Sequence, residues 1–185
     1  MYELAGFVPR KTMSNEMSEV FSRKMRLGGI GEAVQRHIEA DDAECAALAA
    51  LFGLPGIAAV SGDFALRHER RGIIAATLSL RARLTQICVI TLEPFDATIH
   101  ETTELRFVPA AGISEAGEFL LDAETLESPD EIPYAGESID LGAVLAEQLA
   151  LSLDPYPRKP GATLPPEAAD EPETAFSILR GRKES

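Results

Sequence analysis

An alternation that runs, with one break, from residue 60 to residue 84 constrains this chain most. Val60, Gly62, Phe64 and Leu66 alternate with Ser61, Asp63, Ala65 and Arg67. After Glu69-Arg70-Arg71-Gly72, the residues Ile74, Ala76, Leu78, Leu80, Ala82 and Leu84 alternate with Thr77, Ser79, Arg81, Arg83 and Thr85. Successive strand side chains point to opposite faces, so this is a hairpin of two long strands with one apolar and one polar face. Directly paired residues share a face, and both apolar sets are even-numbered, so the loop holds an odd number of residues. A three-residue loop, Glu69 to Arg71, pairs His68 with Gly72, Leu66 with Ile74 and Phe64 with Ala76. It also sets Ser61 opposite Ser79 and leaves Gly72 in a bulge or left-handed conformation.

Other elements fall around this hairpin. Residues 21–27 alternate and predict a first strand, and 33–38 predict a second. Residues 41–52 predict a helix: Asp41 caps it, Glu44 completes a capping box, and Cys45, Leu48, Ala49 and Phe52 share a face. Gly53 and Pro55 end it. Residues 97–108 predict a third long strand with Ala97, Ile99, Leu105 and Phe107 on one side. The acidic stretch from Ile113 to Ser138 reads as a mobile excursion, spanning about residues 110–138, with a short strand near Phe119–Leu121. Asp140 caps a second helix whose apolar stripe is Leu141, Val144, Leu145 and Leu149, with Glu147 exposed. The fold class is α+β: a curved, mainly antiparallel β-sheet, open or barrel-like, with two packed helices. The expected organisation is a flexible N-terminus (1–17), one α+β domain (18–157) and a Pro/Glu-rich linker with a docking tail (158–185).

With 45% hydrophobic residues among 185, the chain can build a core. No apolar run reaches the roughly 20 residues that span a bilayer, and Met1–Met13 has no apolar signal core; a cytoplasmic protein without membrane contact is expected. Charge is lopsided. Residues 1–92 carry 11 Lys and Arg against 10 Asp and Glu, whereas residues 93–185 carry 6 against 20, a net −14. Such acidity opposes tight nonspecific nucleic-acid binding, DNA included, and suits a basic protein partner.

Catalytic and metal chemistry find little support. A nucleophilic cysteine needs a base, and His37, His68 and His100 lie in no motif with Cys88. Cys45 sits on the apolar helix face. Two cysteines cannot furnish a structural zinc site, and Gly28-Gly29-Ile30-Gly31 lacks a phosphate-loop context. No cofactor is expected. The one basic concentration is Arg67, Arg70, Arg71, Arg81 and Arg83. In the hairpin register Arg67, Arg81 and Arg83 share the polar face, with Arg70 and Arg71 at its tip. Guanidinium groups grip phosphates bidentately, which makes these five the RNA-contact candidates; the plainer reading is a solvated face balanced by Asp63 and Glu69.

Two segments carry a family likeness. Cys88, Pro94 and Phe95 leave a long strand, and Asp140-Leu141 through Glu147 to Leu153 opens a helix. Together they resemble the YceD family, the large ribosomal RNA subunit accumulation proteins of bacteria and plastids. Many members carry Cys-x-Arg-Cys-x-x-Pro-Phe; here Ile90 and Thr91 stand at the Arg and second Cys. A later cysteine pair, with which some relatives make a plausible zinc site, is missing. Phe176 and Leu179 resemble the family's terminal element, with Ala175 in place of Pro, and Phe21-Ser22-Arg23 resembles the start of proteobacterial versions. The likeness spans roughly residues 20–180. It implies a non-enzymatic ribosome-biogenesis factor supporting accumulation or processing of 23S (large-subunit) rRNA, with that rRNA or a ribosomal protein as partner. The alternative is an acidic adaptor that binds basic ribosomal proteins without touching RNA. No catalytic residue travels with the resemblance.

Overall fold

The computed structural model describes residues 16–30, 32–110 and 130–163. The strands are β1 (Lys24–Arg26), β2 (Ala33–Glu39), β3 (Gly56–His68), β4 (Ile74–Ile87), β5 (Pro94–Pro109), β6 (Asp130–Tyr134) and β7 (Ser138–Asp140); the helices are α1 (Asp42–Phe52) and α2 (Leu141–Ser152). Residues 16–20 are also helical. The Phe119–Leu121 strand and the Phe176 and Leu179 element lie outside the described residues.

The main sheet has the order β2-β3-β4-β5-β6 and is open among the described residues; β1 and β7 form a second, two-stranded sheet. All pairs are antiparallel except β5 with β6. The fold is thus α+β with a mainly antiparallel sheet. The strand over 97–108 is longer than its pattern, because Pro94 already pairs with Ile87.

The hairpin keeps the expected faces but not the expected register. His68 pairs with Ile74, Leu66 with Ala76 and Phe64 with Leu78; Ser61 faces Arg81, and Ser79 faces Asp63. The loop is therefore Glu69–Ile73, five residues, closed by the Glu69 N–H donating to the Ile73 carbonyl at 2.7 Å. A 3-10 turn over Arg70–Gly72 takes up the extra length, with Arg71 (φ 63°) and Gly72 (φ 76°) both left-handed. Odd-length loops of three and five residues give the same facing, so the alternation alone could not separate them. Tyr134 on β6 donates its hydroxyl to the Gly72 carbonyl at 2.6 Å and anchors the longer turn. A bulge between Ile57 and Ala59 turns Ile57 to the core beside its even-numbered neighbours.

The even-numbered residues of β3 and β4 form the core floor, and α2 lies across it. A Cβ on Gly62 would sit 2.8 Å from Leu145 Cδ1, so the missing side chain is what lets the helix approach the sheet. Helix α2 is buried from Leu141 through Ala146, far beyond one stripe, because the N-terminal segment covers its other side. A Cβ on Gly142 would meet Arg23 N and Phe21 O, each at 2.8 Å. Glu147, expected exposed, is half-buried, and Gln148 is buried with 7% exposure.

The predicted first strand over 21–27 is shortened to Lys24–Arg26, with Phe21 fully buried at the end of a helical turn. Asp140 explains the change. Its Oδ1 accepts the N–H of Arg23 (2.8 Å), Gly142 (3.1 Å) and Ala143 (3.2 Å). Its Oδ2 accepts the hydroxyls of Ser22 (2.5 Å) and Ser18 (3.0 Å). One carboxylate thus caps α2 and holds the incoming segment irregular. Burial pushes its pKa up, but the donors outweigh burial and hold the group below its ordinary range. Asp41 and Glu44 form the expected capping box on α1. Glu44 also takes a two-point ion pair from Arg23 at 2.7 and 2.8 Å.

Candidate nucleic-acid interface

The face of the main sheet opposite the core carries the odd residues of β2, β3 and β4 and the even residues of β5. Strand pairing sets them in rows: Glu39, Ser61, Arg81, His100; then His37, Asp63, Ser79, Thr102; then Ala33, Arg67, Ala75, Arg106, Glu131. Arg83 lies between Ala59 and Thr98. Arg67, Arg81 and Arg83 share this face, and Arg70 and Arg71 sit in the exposed hairpin turn.

The five arginines do not form one cluster. Arg67 pairs with Ala75, so Arg81 lies about 20 Å along the hairpin, and the start of β4 is about 30 Å from Arg83 at roughly 3.3 Å per residue. They make a spaced strip with Ser61, Ser79, Thr98 and Thr102 between them. Two are held by acids. Arg81 approaches Asp63 at 3.8 Å, and Asp63 also binds His37 Nδ1 at 2.7 Å. Arg67 binds Glu69 at 3.3 Å. Arg70, Arg71 and Arg83 have no ion-pair partner among the described residues. Arg106, outside the candidate set, bridges Glu69 (3.2 Å) and Glu131 (3.5 Å); its even number on β5 already placed it on the polar face, but only the pairing brings it beside Arg67. Around it lies a shallow trough of about 630 Å³, floored by Ala33, Ala65 and Ala75.

The end of β4 is a second constructed region. Cys88 is fully buried, and its N–H donates to the Glu93 carbonyl at 2.9 Å while its carbonyl accepts from Leu92 at 2.9 Å. The Thr91 hydroxyl, with the N–H groups of Lys159, Thr91 and Ile90, draws the thiol down to about 7 against the effect of burial. None of the three histidines hydrogen-bonds to it: His37 holds Asp63, His68 lies 3.4 Å from the Leu27 carbonyl, and His100 pairs across to Arg81. One thiol and one threonine hydroxyl do not fit a four-ligand zinc site, and no group of three metal-ligating side chains occurs among the described residues. Hydrogen bonds hold the corner instead. Val89 N–H donates to Pro157 O at 2.9 Å, Gln86 Nε2 to Asp154 O at 3.4 Å, and Lys159 pairs with Glu93 at 3.0 Å. Pro94 opens β5 and Phe95 is half-buried there, paired with Gln86.

The fold and these two regions define an α+β protein with an arginine- and hydroxyl-bearing sheet face and no assembled catalytic or metal centre among the described residues. The model of one family, described as "Large ribosomal RNA subunit accumulation protein YceD", matches residues 76–176, more than half of the chain. The chain belongs to the YceD family. The match begins in β4, so it includes Arg81, Arg83, Cys88, Pro94, Phe95, Asp140, Leu141, Glu147 and Phe176; Arg67, Arg70, Arg71 and Leu179 fall outside it. No curated protein matches the chain, and no solved structure does. No helix among the described residues is long and apolar enough to cross a membrane.

Proposed function

We propose that the chain is a non-enzymatic, cytoplasmic ribosome-biogenesis factor that supports accumulation of large-subunit rRNA by touching the RNA with its open sheet face. The observation that carries this is the strip of Arg67, Arg81 and Arg83 interleaved with serine and threonine hydroxyls, with Arg70, Arg71 and Arg83 left without acidic partners among the described residues. Guanidinium groups take phosphate oxygens bidentately, and hydroxyls reach phosphates and ribose 2′-OH groups. The spacing suits tracking a backbone over several nucleotides better than gripping one base, since no Phe, Tyr or Trp interrupts the strip for stacking among the described residues. Ultraviolet crosslinking in cells tests it. Arg81→Glu with Arg83→Glu is expected to cut large-subunit rRNA recovery at least tenfold while the protein stays folded; undiminished recovery would sink the reading.

A second reading has its own observation. Residues 93–185 carry a net −14, which favours a basic partner through electrostatic steering. In that reading the acidic half holds a ribosomal protein. Ribosomal proteins still bound after RNase treatment would favour it.

A further inference from the structure

Arg81 shares its place on the outer sheet face with a histidine that the arginine strip does not account for. His37 on β2 pairs directly with Asp63 on β3. Arg81 on β4 pairs with Ser61, which puts it one diagonal step from Asp63. Side chains at direct and diagonal positions of one sheet face reach each other. His37 Nδ1 lies 2.7 Å from Asp63 Oδ1, and Arg81 approaches Asp63 Oδ2 at 3.8 Å. One carboxylate thus sets an imidazole and a guanidinium side by side, and all three side chains are half or more exposed.

The two contacts differ in kind. At 3.8 Å Arg81 is beyond hydrogen-bond range. Nothing else among the described residues holds it, so its N–H groups are open to a phosphate. His37 is held closely. A carboxylate only accepts, so the proton of the neutral ring sits on Nδ1 and Nε2 is left as an acceptor. Nε2 has no hydrogen-bond partner among the described residues. The serine and threonine hydroxyls of the strip can donate or accept, whereas this nitrogen can only accept. Phosphate oxygens and deoxyribose offer it no proton. A ribose 2′-OH does, and that group is what separates RNA from DNA at a contact. His100, opposite Arg81 on β5, has no carboxylate holding its ring among the described residues.

Every ribonucleotide presents the matching pair of groups together, because its 2′-OH and its 3′-phosphate stand on adjacent carbons. We infer that His37 and Arg81, aligned by Asp63, form a ribose–phosphate site. Arg81 takes the phosphate, His37 Nε2 accepts the hydrogen bond of the 2′-OH, and the sheet face thereby selects RNA over DNA. This rests on the RNA reading above and adds to it a residue outside the arginine set. Local charge is compatible with it. Asp63 is turned to its two partners, and Glu39, the acid in Arg81's own row, is two strands away, about 10 Å. Arg83 lies two residues along β4, about 7 Å from Arg81.

The test takes a single-stranded large-subunit rRNA fragment recovered by crosslinking to the wild-type chain. Its affinity is measured as RNA, as the 2′-deoxy form and as the 2′-O-methyl form, at about pH 8, where free imidazole is neutral. The 2′-O-methyl form keeps the ribose oxygen but has no proton to donate. The wild type is expected to bind RNA about fivefold more tightly than either modified form, the scale of one hydrogen bond. In His37→Ala, an exposed substitution that should leave the melting temperature level, this preference should disappear. Equal binding of the three forms by the wild type, or a preference that survives His37→Ala, would overturn the site while leaving RNA contact intact. If no large-subunit rRNA crosslinks to the wild type, the RNA reading and this site fail together.

Discussion

Asp140 does more than its sequence position announces. As a helix cap its removal would cost about 1 kcal/mol, but it also receives Ser18, Ser22 and the Arg23 N–H. Asp140→Ala is therefore expected to destabilise the protein by about 2–4 kcal/mol in urea unfolding, since several part-buried donors are left without their acceptor together. The carboxyl's lowered pKa fixes the sign with pH. Its contribution is full above the ordinary carboxylate value and is lost as pH falls through the lower folded value, so the gap between wild type and Asp140→Ala should narrow in acid. Cys88 acts at the other end of the scale. Its folded pKa of about 7 lies below the unfolded value of about 9. The stability it contributes is full above the upper value and lost as pH falls through the lower one, so the difference between wild type and Cys88→Ala should grow from pH 7 to pH 9. Asp140 was legible as a cap because it precedes an apolar run. Its other partners lie more than a hundred residues earlier and left no local signal.

Helix α2 and the β3–β4 hairpin show where element-level reading holds and where it stops. Helix propensity alone says that Gly142→Ala would stabilise α2 by about 1 kcal/mol. The packing says the reverse, because the added methyl would meet backbone atoms of Arg23 and Phe21 at 2.8 Å, and rigid backbone cannot step aside. Thermal unfolding should therefore show Gly142→Ala destabilised by about 1–3 kcal/mol. In the hairpin, Arg71→Gly should stabilise by about 0.5–1 kcal/mol, because residue 71 is left-handed without being glycine. Both strands, both faces and the turn's position were readable from alternation with period two. The register was not, because it rests on the turn's internal geometry and on Tyr134 reaching Gly72 from β6.

For the whole molecule, charge placement matters more than net charge. A chain of net −13 binds RNA only if its cations are separated from its acids, and the outer sheet face achieves that in part. Asp63 and Glu69 hold Arg81 and Arg67, leaving Arg83 and the hairpin tip as the freer cations. If RNA lies along this strip, Arg81→Gln with Arg83→Gln should weaken binding across sequences. The slope of log K against log salt should fall by about 0.7 for each single-strand phosphate that is no longer neutralised. A titration of large-subunit rRNA fragments over a range of salt measures both.

The sequence by itself determined the α+β class, the long hairpin, the capped helix α1, the start of α2 and which arginines share a face. Each depends on periodicity or on a cap, and both are properties of neighbours along the chain. Only the tertiary structure decided that Arg106 joins Arg67 through Glu69, and that residues 16–23 wrap α2 instead of extending as a strand. It also decided that β6 runs parallel to β5, and that the segment after α2 meets the end of β4, with Val89 bonded to Pro157. Those features arise from contacts between residues far apart in sequence, where local pattern carries no information about distance in space.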